Sequence, residues 1–417
     1  MTGGAFSLRP PGSFPLSADP AFQDEVRGEL ELLVARVRDC AAAPSVAGVL
    51  LTGSFARGEG TVISNHRKGS RWLSDVECLV VVNGGIVPVR EIQRSMRQVE
   101  TDFNTDRGST DRGIKVELRA ILTEGMLRLR PAIFTRELCE HAKLIWGDPA
   151  AIPVPRVPSN GEAISKHDAF RLLNNRIVEQ IAIRSDYADR TSDSTAAGYS
   201  LAKFWIDLGT SLSVFLGCYL PGYRSRQQPF EDALRTHPEI LGTEISSRLI
   251  SRFQTAMAQK LGQAEFSSGD LAGEFSEAVE IARATWNWES DRLLGTNTTA
   301  GDWHKIFARL SRVETAEQRF RDWARLFKQP SRLRQLGPRG IFAAARVGSV
   351  ATLIYGTGCL IDFFWDEIGS GMAGGGEIAT ELCRGLAVEG HDAMERRRRL
   401  TRATTAAWET HLRFAAA

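Results

Sequence analysis

Apolar residues near the start of the sequence recur at intervals of three and four, which is the spacing of an amphipathic helix. Within residues 21–43 these positions are Phe22, Val26, Leu30, Leu33 and Val37, and they predict a helix with one buried face. After Pro44 the stretch "VAGVLLTG" is continuously apolar and ends in glycine, which predicts a buried strand.

Two further segments are predicted to form strands beside it. The stretch "WLSDVECLVVVN" is largely apolar, and "VREIQRSMRQVETDF" has the pattern of a helix. In "GIKVELRAIL" the polar residues Lys115, Glu117 and Arg119 alternate with apolar residues, as they do in a strand with one exposed face. Residues 21–150 are therefore expected to combine strands and helices around one sheet, an α+β arrangement.

The pattern changes after a proline-rich segment. Four prolines fall within "GDPAAIPVPRVPSNGEAIS", and regular structure does not accommodate them, so residues 151–165 are predicted to be a linker. Residues 1–20, rich in Pro, Gly and Ser, are expected to form a flexible arm. Beyond the linker only helical spacing is found, which predicts an all-helical domain over 166–417. That domain is interrupted by "GTNTTAGD" and "GSGMAGGG".

Composition narrows the class of protein. The chain has 417 residues, 43% of them hydrophobic, and a net charge of +2 from 52 basic and 50 acidic residues. This balance argues against a dedicated nucleic-acid binder, which usually carries a basic excess. The six cysteines are scattered without a CxxC pair, so neither a disulfide framework nor a zinc site is predicted, and a reducing cytoplasm is expected.

No targeting or membrane segment is predicted. The first 20 residues lack the basic start and apolar centre of a secretory signal. The uncharged stretch 347–361 has 15 residues, three of them glycine, and a spanning helix needs ~20. It is interpreted as a buried helix.

The chemistry is expected at the ends of the predicted strands. Glycine lets a phosphate chain approach the backbone at Gly53, and the Ser54 hydroxyl can hydrogen-bond to it. Asp75 and Glu77 are two residues apart on a strand, so they are expected on one face. Two adjacent carboxylates repel each other unless a cation lies between them, and their oxygens suit Mg²⁺. Glu117, on the next predicted strand, is a candidate third ligand for a two-metal site.

These motifs resemble the DNA polymerase β-like nucleotidyltransferase superfamily. The resemblance lies in Gly53-Ser54, Asp75-Val76-Glu77 and Val116-Glu117-Leu118 in this order, and it covers about residues 21–150. "GSFARGEG" before "SDVE" is most similar to the small-molecule bacterial branch, which includes the aminoglycoside nucleotidyltransferases. "ELCEHAKLIWGDP" is similar to the end of such domains.

The resemblance implies a mixed-sheet nucleotidyltransferase domain that uses two Mg²⁺ ions and an NTP as substrate. Asp75, Glu77 and Glu117 would be the metal ligands and catalytic residues, and Gly53 and Ser54 would bind the phosphates. Related enzymes also place a lysine of the helical domain on the triphosphate, and Lys203 is the candidate here.

Several positions have a second interpretation. Arg57 either contacts phosphate or forms an ion pair with Glu59, and Lys203 either faces the nucleotide or pairs with Asp207 along a helix. Glu117 is a metal ligand, or pairs with Lys115 and Arg119 on an exposed face. Twenty residues separate Ser54 from Asp75, more than the family usually has. The excess contains His66, Arg67, Lys68 and Arg71; a solvent loop is favoured over a basic flap that covers the substrate.

The favoured activity is transfer of a nucleoside monophosphate from an NTP to a hydroxyl or phosphate of a small-molecule acceptor. Alternatives are a cyclic oligonucleotide second-messenger synthase, an RNA-tailing enzyme, which the charge balance disfavours, and a non-catalytic, antitoxin-like module. No stable nucleic-acid partner and no membrane partner are expected, and a homodimer is an open alternative to a monomer.

Overall fold

The computed structural model describes most of the chain in separate ranges. These are residues 20–65, 69–85, 87–108, 114–155, 164–188, 194–266, 269–295, 304–317, 319, 322–324, 345, 348–364 and 393–411. The predicted arm lies outside them up to residue 19, as does part of the predicted linker, residues 156–163. The chain divides into two compact units: the first contains residues from 1–165, 217–229 and 257–265, and the second contains the others.

The first unit is built around a four-stranded mixed sheet. Its strands are β1 (Val46–Thr52), β4 (Val76–Val82), β5 (Val116–Leu122) and β6 (Lys143–Gly147), in the order β5-β4-β1-β6. β1 pairs antiparallel with β4 and with β6, whereas β4 and β5 are parallel. The helices of this unit are α1 (Pro20–Asp39), α2 (Gly53–Arg57), α3 (Val89–Gly108), α4 (Thr123–Leu127) and α5 (Ile133–His141).

Each face of this sheet has its own core. On one face, residues of α1 and α3 such as Leu33 and Met96 pack with Val49 and Val80. On the other face, Leu50 and Leu79 pack with residues that include Met126 of α4 and Leu138 of α5. Both faces of the central strands are therefore buried, and for this reason "VLL" and "CLVVV" are continuously apolar.

The segment between Ser54 and Asp75 differs from the solvent loop that the sequence favoured. It contains a hairpin in which β2 (Val62–Asn65) pairs antiparallel with β3 (Gly69–Trp72). Trp72 is buried at the end of this hairpin, with its ring 5.0 Å from that of Phe55 and 6.0 Å from that of Phe22. Burial of this indole anchors the segment. His66, Arg67 and Lys68 lie outside the described residues.

The described residues of the second unit form helices. Those with residues in this unit are α6 (Lys166–Ala188), α7 (Ser194–Phe215), α8 (Tyr223–Thr236), α9 (Thr243–Lys260), α10 (Leu271–Leu294), α11 (His304–Val313), α12 (Val350–Phe363) and α13 (Ala393–His411). α6 packs against α7, α10, α12 and α13. The beginning of α8 and the end of α9 belong to the first unit.

The fold class predicted from the sequence is confirmed, with a mixed sheet in the first unit and helices in the second. The uncharged stretch near residue 355 forms α12, whose side chains are almost all buried. Its N-cap is Ser349, whose Oγ accepts from the Thr352 amide at 3.0 Å. Within the described part of the chain, no helix has the length and apolar character to span a membrane.

Candidate active site

The strand register places three polar residues, Thr52, Glu77 and Glu117, side by side on β1, β4 and β5. Thr52, the last residue of β1, pairs with Glu77 of β4, and Glu77 pairs with Glu117 of β5. The Thr52 hydroxyl donates to the Glu77 carbonyl at 3.1 Å. Asp75 lies one residue ahead of β4, which begins with a hydrogen bond from the Val76 amide to the Lys115 carbonyl at 2.8 Å. The sequence motifs therefore meet at one end of three adjacent strands, the C-terminal end of β1 and the N-terminal ends of β4 and β5.

Gly53 is in close contact with the first of these carboxylates. Its φ is +64°, and a Cβ at this position would lie 2.6 Å from Oε1 of Glu77. A side chain would therefore be strained by the left-handed backbone and would also strike the carboxylate. Ser54, which follows, is buried, and its carbonyl accepts from the Glu59 amide at 2.8 Å. Glycine is needed here because Glu77 approaches the backbone.

The electrostatic environment of Glu77 shows how closely these acids lie. Burial raises the pKa of Glu77 above its ordinary value, and the charges of Glu117 and Asp75 raise it further, against the opposing effect of Arg57 and Arg119. A carboxylate that is buried beside like charges favours its neutral form. A cation between Glu77 and Glu117 would remove this penalty.

The structure does not assemble the predicted three-carboxylate metal centre. Among the described residues, no group of three His, Cys, Asp or Glu side chains is arranged to hold a metal ion. Asp75 precedes the strand on which it was expected, and Glu117 contacts Arg119. The donors themselves fit Mg²⁺, since all three are carboxylates. Their roles as metal ligands and catalytic residues stay predictions.

Glu117 forms one of the ion pairs that the sequence left open, and its role as a metal ligand stays a prediction. Its Oε2 lies 3.3 Å from Nη2 of Arg119, which is the ion pair of the second interpretation. It also lines a small pocket, in which the other lining residues are Thr52, Glu77, Cys78, Leu79, Arg119 and Phe134. This pocket, with a volume of about 10 Å³, has room for little more than one water molecule or one small ion.

Arg57 forms the ion pair that was one of its two interpretations. Its Nε lies 2.9 Å from Oε2 of Glu59, and its Nη1 lies 2.5 Å from Oε2 of Glu137. Its guanidinium also lies 4.7 Å from the centre of the Tyr223 ring. Burial alone would lower the pKa of Arg57, but Glu137, Tyr223 and Glu59 outweigh it and raise the pKa. Arg57 is therefore a fixed cation, and its contact with nucleotide stays a prediction.

A buried lysine that contacts the residue before Asp75 was not predicted from the sequence. Nζ of Lys260, at the end of α9, donates to Oγ of Ser74 at 2.9 Å, and Ser74 immediately precedes Asp75. The same Oγ accepts from the Thr61 amide at 2.7 Å, and the Thr61 hydroxyl donates to the Lys260 carbonyl at 3.0 Å. No local pattern marks Lys260, because its partners are distant in sequence.

Lys203, the candidate that the family resemblance suggested for triphosphate binding, lies in the second unit on α7. Its Nζ is 5.8 Å from the centre of the Tyr199 ring, one turn earlier on the helix. Asp207 accepts from Nε of Arg176 on α6, so the expected partner of Lys203 is engaged with another cation. The role of Lys203 in nucleotide binding stays a prediction.

Comparison with known proteins adds one distant likeness. No protein-family model matches the chain, and no curated protein matches it. The chain is similar to the solved structure of spectinomycin adenyltransferase AAD(9) from Enterococcus faecialis with ATP and spectinomycin. The sequence identity is 15%, the TM-score is 0.34, and the match covers 62% of this chain and 98% of that one. A likeness at this level carries no argument about residues or substrates.

Proposed function

We propose that this protein is a Mg²⁺-dependent nucleotidyltransferase, which moves a nucleoside monophosphate from an NTP to a small-molecule acceptor. The observation that carries the proposal is the row Thr52, Glu77 and Glu117 across β1, β4 and β5, directly beside the Gly53-Ser54 turn. The row offers two carboxylates for a divalent cation, and Gly53, Ser54 and the buried Lys260, which is held on Ser74, are the candidates for phosphate binding.

The residues have separate roles in this proposal. Asp75, Glu77 and Glu117 would hold the cation, and the cation would stabilise charge on the phosphates and lower the pKa of an acceptor hydroxyl. Gly53, Ser54, Ser74 and Lys260 bind phosphate oxygens, the last because its ammonium is held on Ser74 next to Asp75.

In the reaction an acceptor oxygen forms a bond to the α-phosphorus. The bond between the α-phosphorus and the bridging oxygen breaks, and pyrophosphate leaves. Where the acceptor is a hydroxyl, its proton passes to Glu117. Catalysis of this kind rests mainly on positioning and charge stabilisation.

The test is nucleotide transfer by the purified protein. Each α-labelled NTP is incubated with Mg²⁺ and an extract of small metabolites, and the labelled product is identified. Asp75→Asn is expected to lower turnover ~100-fold or more, because loss of a metal ligand removes several kcal/mol of transition-state stabilisation. Asp24→Asn, on the exposed surface of α1, is the matched control. Retention of most of the activity by a folded Asp75→Asn protein would show that the metal assignment is wrong.

A further inference from the structure

Four charged side chains form a buried cluster next to the carboxylate site. The cluster, named here the Glu137 cluster, consists of Arg57, Glu59, Glu137 and Arg226. Their side chains are 5%, 6%, 18% and 2% exposed, respectively. All four belong to the first unit. Two of its members, Glu137 and Arg226, were not singled out by sequence reasoning.

Glu137 occupies the centre of this cluster because each of its oxygens has a cationic partner. Oε2 accepts from Nη1 of Arg57 at 2.5 Å, and Oε1 accepts from Nη2 of Arg226 at 3.0 Å. Oε1 also accepts from the Tyr219 hydroxyl at 3.1 Å. Burial alone would raise the pKa of Glu137, but Arg57 and Arg226 outweigh it and hold the pKa below its ordinary value. Glu137 is therefore a charged bridge between two arginines.

The cluster extends to the backbone at the start of α8. Glu59, the other partner of Arg57, accepts from the Tyr223 amide at 2.8 Å and from the Arg224 amide at 3.2 Å. Nε of Arg226 donates to the Leu220 carbonyl at 3.0 Å. Arg226 thus links the Leu220 carbonyl to Glu137, and Glu59 links the Tyr223 and Arg224 amides to Arg57.

Stability is a poor explanation for this arrangement. Desolvation of buried ion pairs often cancels their attraction, and apolar residues of similar volume can serve the fold as well. What such a network provides is a fixed relative position of the segments that it joins. Here these segments are the Gly53–Arg57 helix, α5 and residues 219–226.

Two residues of the joined segments, Arg57 and Tyr223, lie close to residues of the proposed phosphate site. Arg57 is at the end of the short helix α2, which starts at Gly53, and its charge opposes the rise in the pKa of Glu77. The Tyr223 ring lies 4.7 Å from the Arg57 guanidinium and 5.9 Å from Nζ of Lys260. A displacement of Arg57 or Tyr223 would therefore reach both the Gly53 turn and the lysine.

We propose that Glu137 is a positioning residue for nucleotide transfer: by bridging Arg57 and Arg226, it holds the Gly53 turn, Tyr223 and Lys260 in register. This inference rests on the proposed function. Glu137 does not contact the reacting atoms and acts through its two arginines. Without its charge, Arg226 would lose the carboxylate that it contacts in this cluster, and Arg57 would keep only Glu59 as its anionic partner there.

The test compares Glu137→Gln with Glu140→Gln, an exposed position one turn further along α5 that contacts Arg136. At a temperature at which both variants are folded, Glu137→Gln is expected to lower kcat/KM for the NTP by ~10-fold or more, and Glu140→Gln by less than ~2-fold. In nucleotide-free protein, hydrogen exchange at the Tyr223 and Arg224 amides is expected to be ~10-fold faster in Glu137→Gln. These amides bond to Glu59, so the loss of the Glu137 charge reaches them through Arg57 and Glu59 or along the chain from Arg226.

Two further variants keep the test decisive. If Glu137→Gln does not fold, Tyr219→Phe is used instead. It removes the hydroxyl that donates to Glu137 and accepts from Arg226, and it is expected to lower kcat/KM by ~2- to 5-fold. The double variant Glu137→Gln/Arg226→Gln also removes the charge of Arg226. It is expected to recover part of the kcat/KM that Glu137→Gln alone loses.

The outcomes separate this inference from the proposed function. Wild-type values of kcat/KM and amide exchange in a folded Glu137→Gln protein would overturn the positioning role while leaving nucleotide transfer intact. A loss of kcat/KM that is fully explained by a lowered Tm would also overturn the positioning role. Absence of NTP turnover in the wild-type protein would overturn the proposed function, and amide exchange would then decide whether Glu137 organises residues 219–226.

Discussion

The contact between Gly53 and Glu77 shows what a single residue contributes to the site. The sequence predicted a glycine that leaves room for phosphate. The structure shows that this glycine also leaves room for a carboxylate of the protein itself, since a Cβ would lie 2.6 Å from Glu77 Oε1. A larger residue would therefore displace a proposed metal ligand as well as obstruct the phosphates.

Gly53→Ala is expected to weaken NTP binding by ~10-fold or more and to lower the free energy of unfolding by about 1–2 kcal/mol, the cost of a left-handed non-glycine residue. Gly295→Ala is the matched control, because Gly295 has the same φ of +64° and a Cβ added there would meet nothing within 4 Å. Nucleotide affinity by calorimetry and Tm are the measurements. Equal NTP affinity in folded Gly53→Ala and wild-type protein would contradict the role of this turn.

Glu289 is a buried acid outside the candidate active site, and its environment favours the protonated carboxyl. It lies on α10 in the second unit, fully buried, and burial raises its pKa well above the ordinary value despite a contact with Ser211. Ser211 Oγ lies 2.8 Å from the Ala169 carbonyl and 2.9 Å from Glu289 Oε2. One hydroxyl hydrogen serves only one of these oxygens, so a protonated Glu289 supplies the second. No described residue hydrogen-bonds to its Oε1.

The pH dependence of stability follows from this protonation. A carboxyl with a raised pKa in the folded state keeps its proton after the unfolded state has lost it, so its contribution is complete below pH 4.5 and is lost as the pH rises through the folded pKa. Glu289→Gln is therefore expected to raise Tm by at least about 2 °C at pH 8 and by less at pH 5. Glu244→Gln, whose side chain is 86% exposed, should not show this difference. A lower Tm for Glu289→Gln at pH 8 would contradict the argument.

At the scale of elements, the sequence predicted three strands of the four-stranded sheet but neither β6 nor the β2–β3 hairpin. Alternation and apolar runs identified the strands at Val49, Cys78 and Leu118, because burial on one face or both leaves a local pattern. The hairpin around Trp72 was missed, since a short two-stranded ribbon with basic residues resembles a loop in sequence. Asp75 was expected within β4, and it lies one residue before it.

The rest of the site depends on contacts that no local pattern records. Lys260 and Ser74 are 186 residues apart, and Arg226 and Glu137 are 89 residues apart. Residues 217–229 and 257–265 lie within the bounds 166–417 predicted for the helical domain, whereas the structure groups them with the first unit. Helical periodicity reports that a face is buried, but not which residues cover it.

Lys260 tests the contribution of the end of α9. Lys260→Met keeps most of the apolar side chain and removes the ammonium, so KM for the NTP is expected to rise ~10-fold or more, while kcat falls less. Lys115→Met, at an exposed position just before β5, is the matched control. Steady-state kinetics at several NTP concentrations separate the two constants. An unchanged KM in folded Lys260→Met protein would remove Lys260 from the phosphate site.

The charge distribution of the whole molecule bears on the class of acceptor. An enzyme that follows a polynucleotide neutralises several phosphates, and its affinity then falls steeply with salt. This chain has only two more basic than acidic residues. Its basic run at 396–399 is partly neutralised within α13, where Arg399 pairs with Glu395. The sum of these charges favours a small acceptor.

The protein is therefore expected to bind single-stranded RNA and DNA weakly at physiological salt and not to extend an oligonucleotide primer. Fluorescence anisotropy across a salt series should give a slope of log affinity against log salt shallower than about −2, because few phosphates would be contacted. Arg398→Glu, at an exposed position of α13, tests whether the remaining binding comes from this helix, and it should leave nucleotide transfer to a small acceptor unchanged. Submicromolar binding with a steep salt dependence, or stepwise tailing of a labelled primer, would instead establish a polynucleotide as the acceptor.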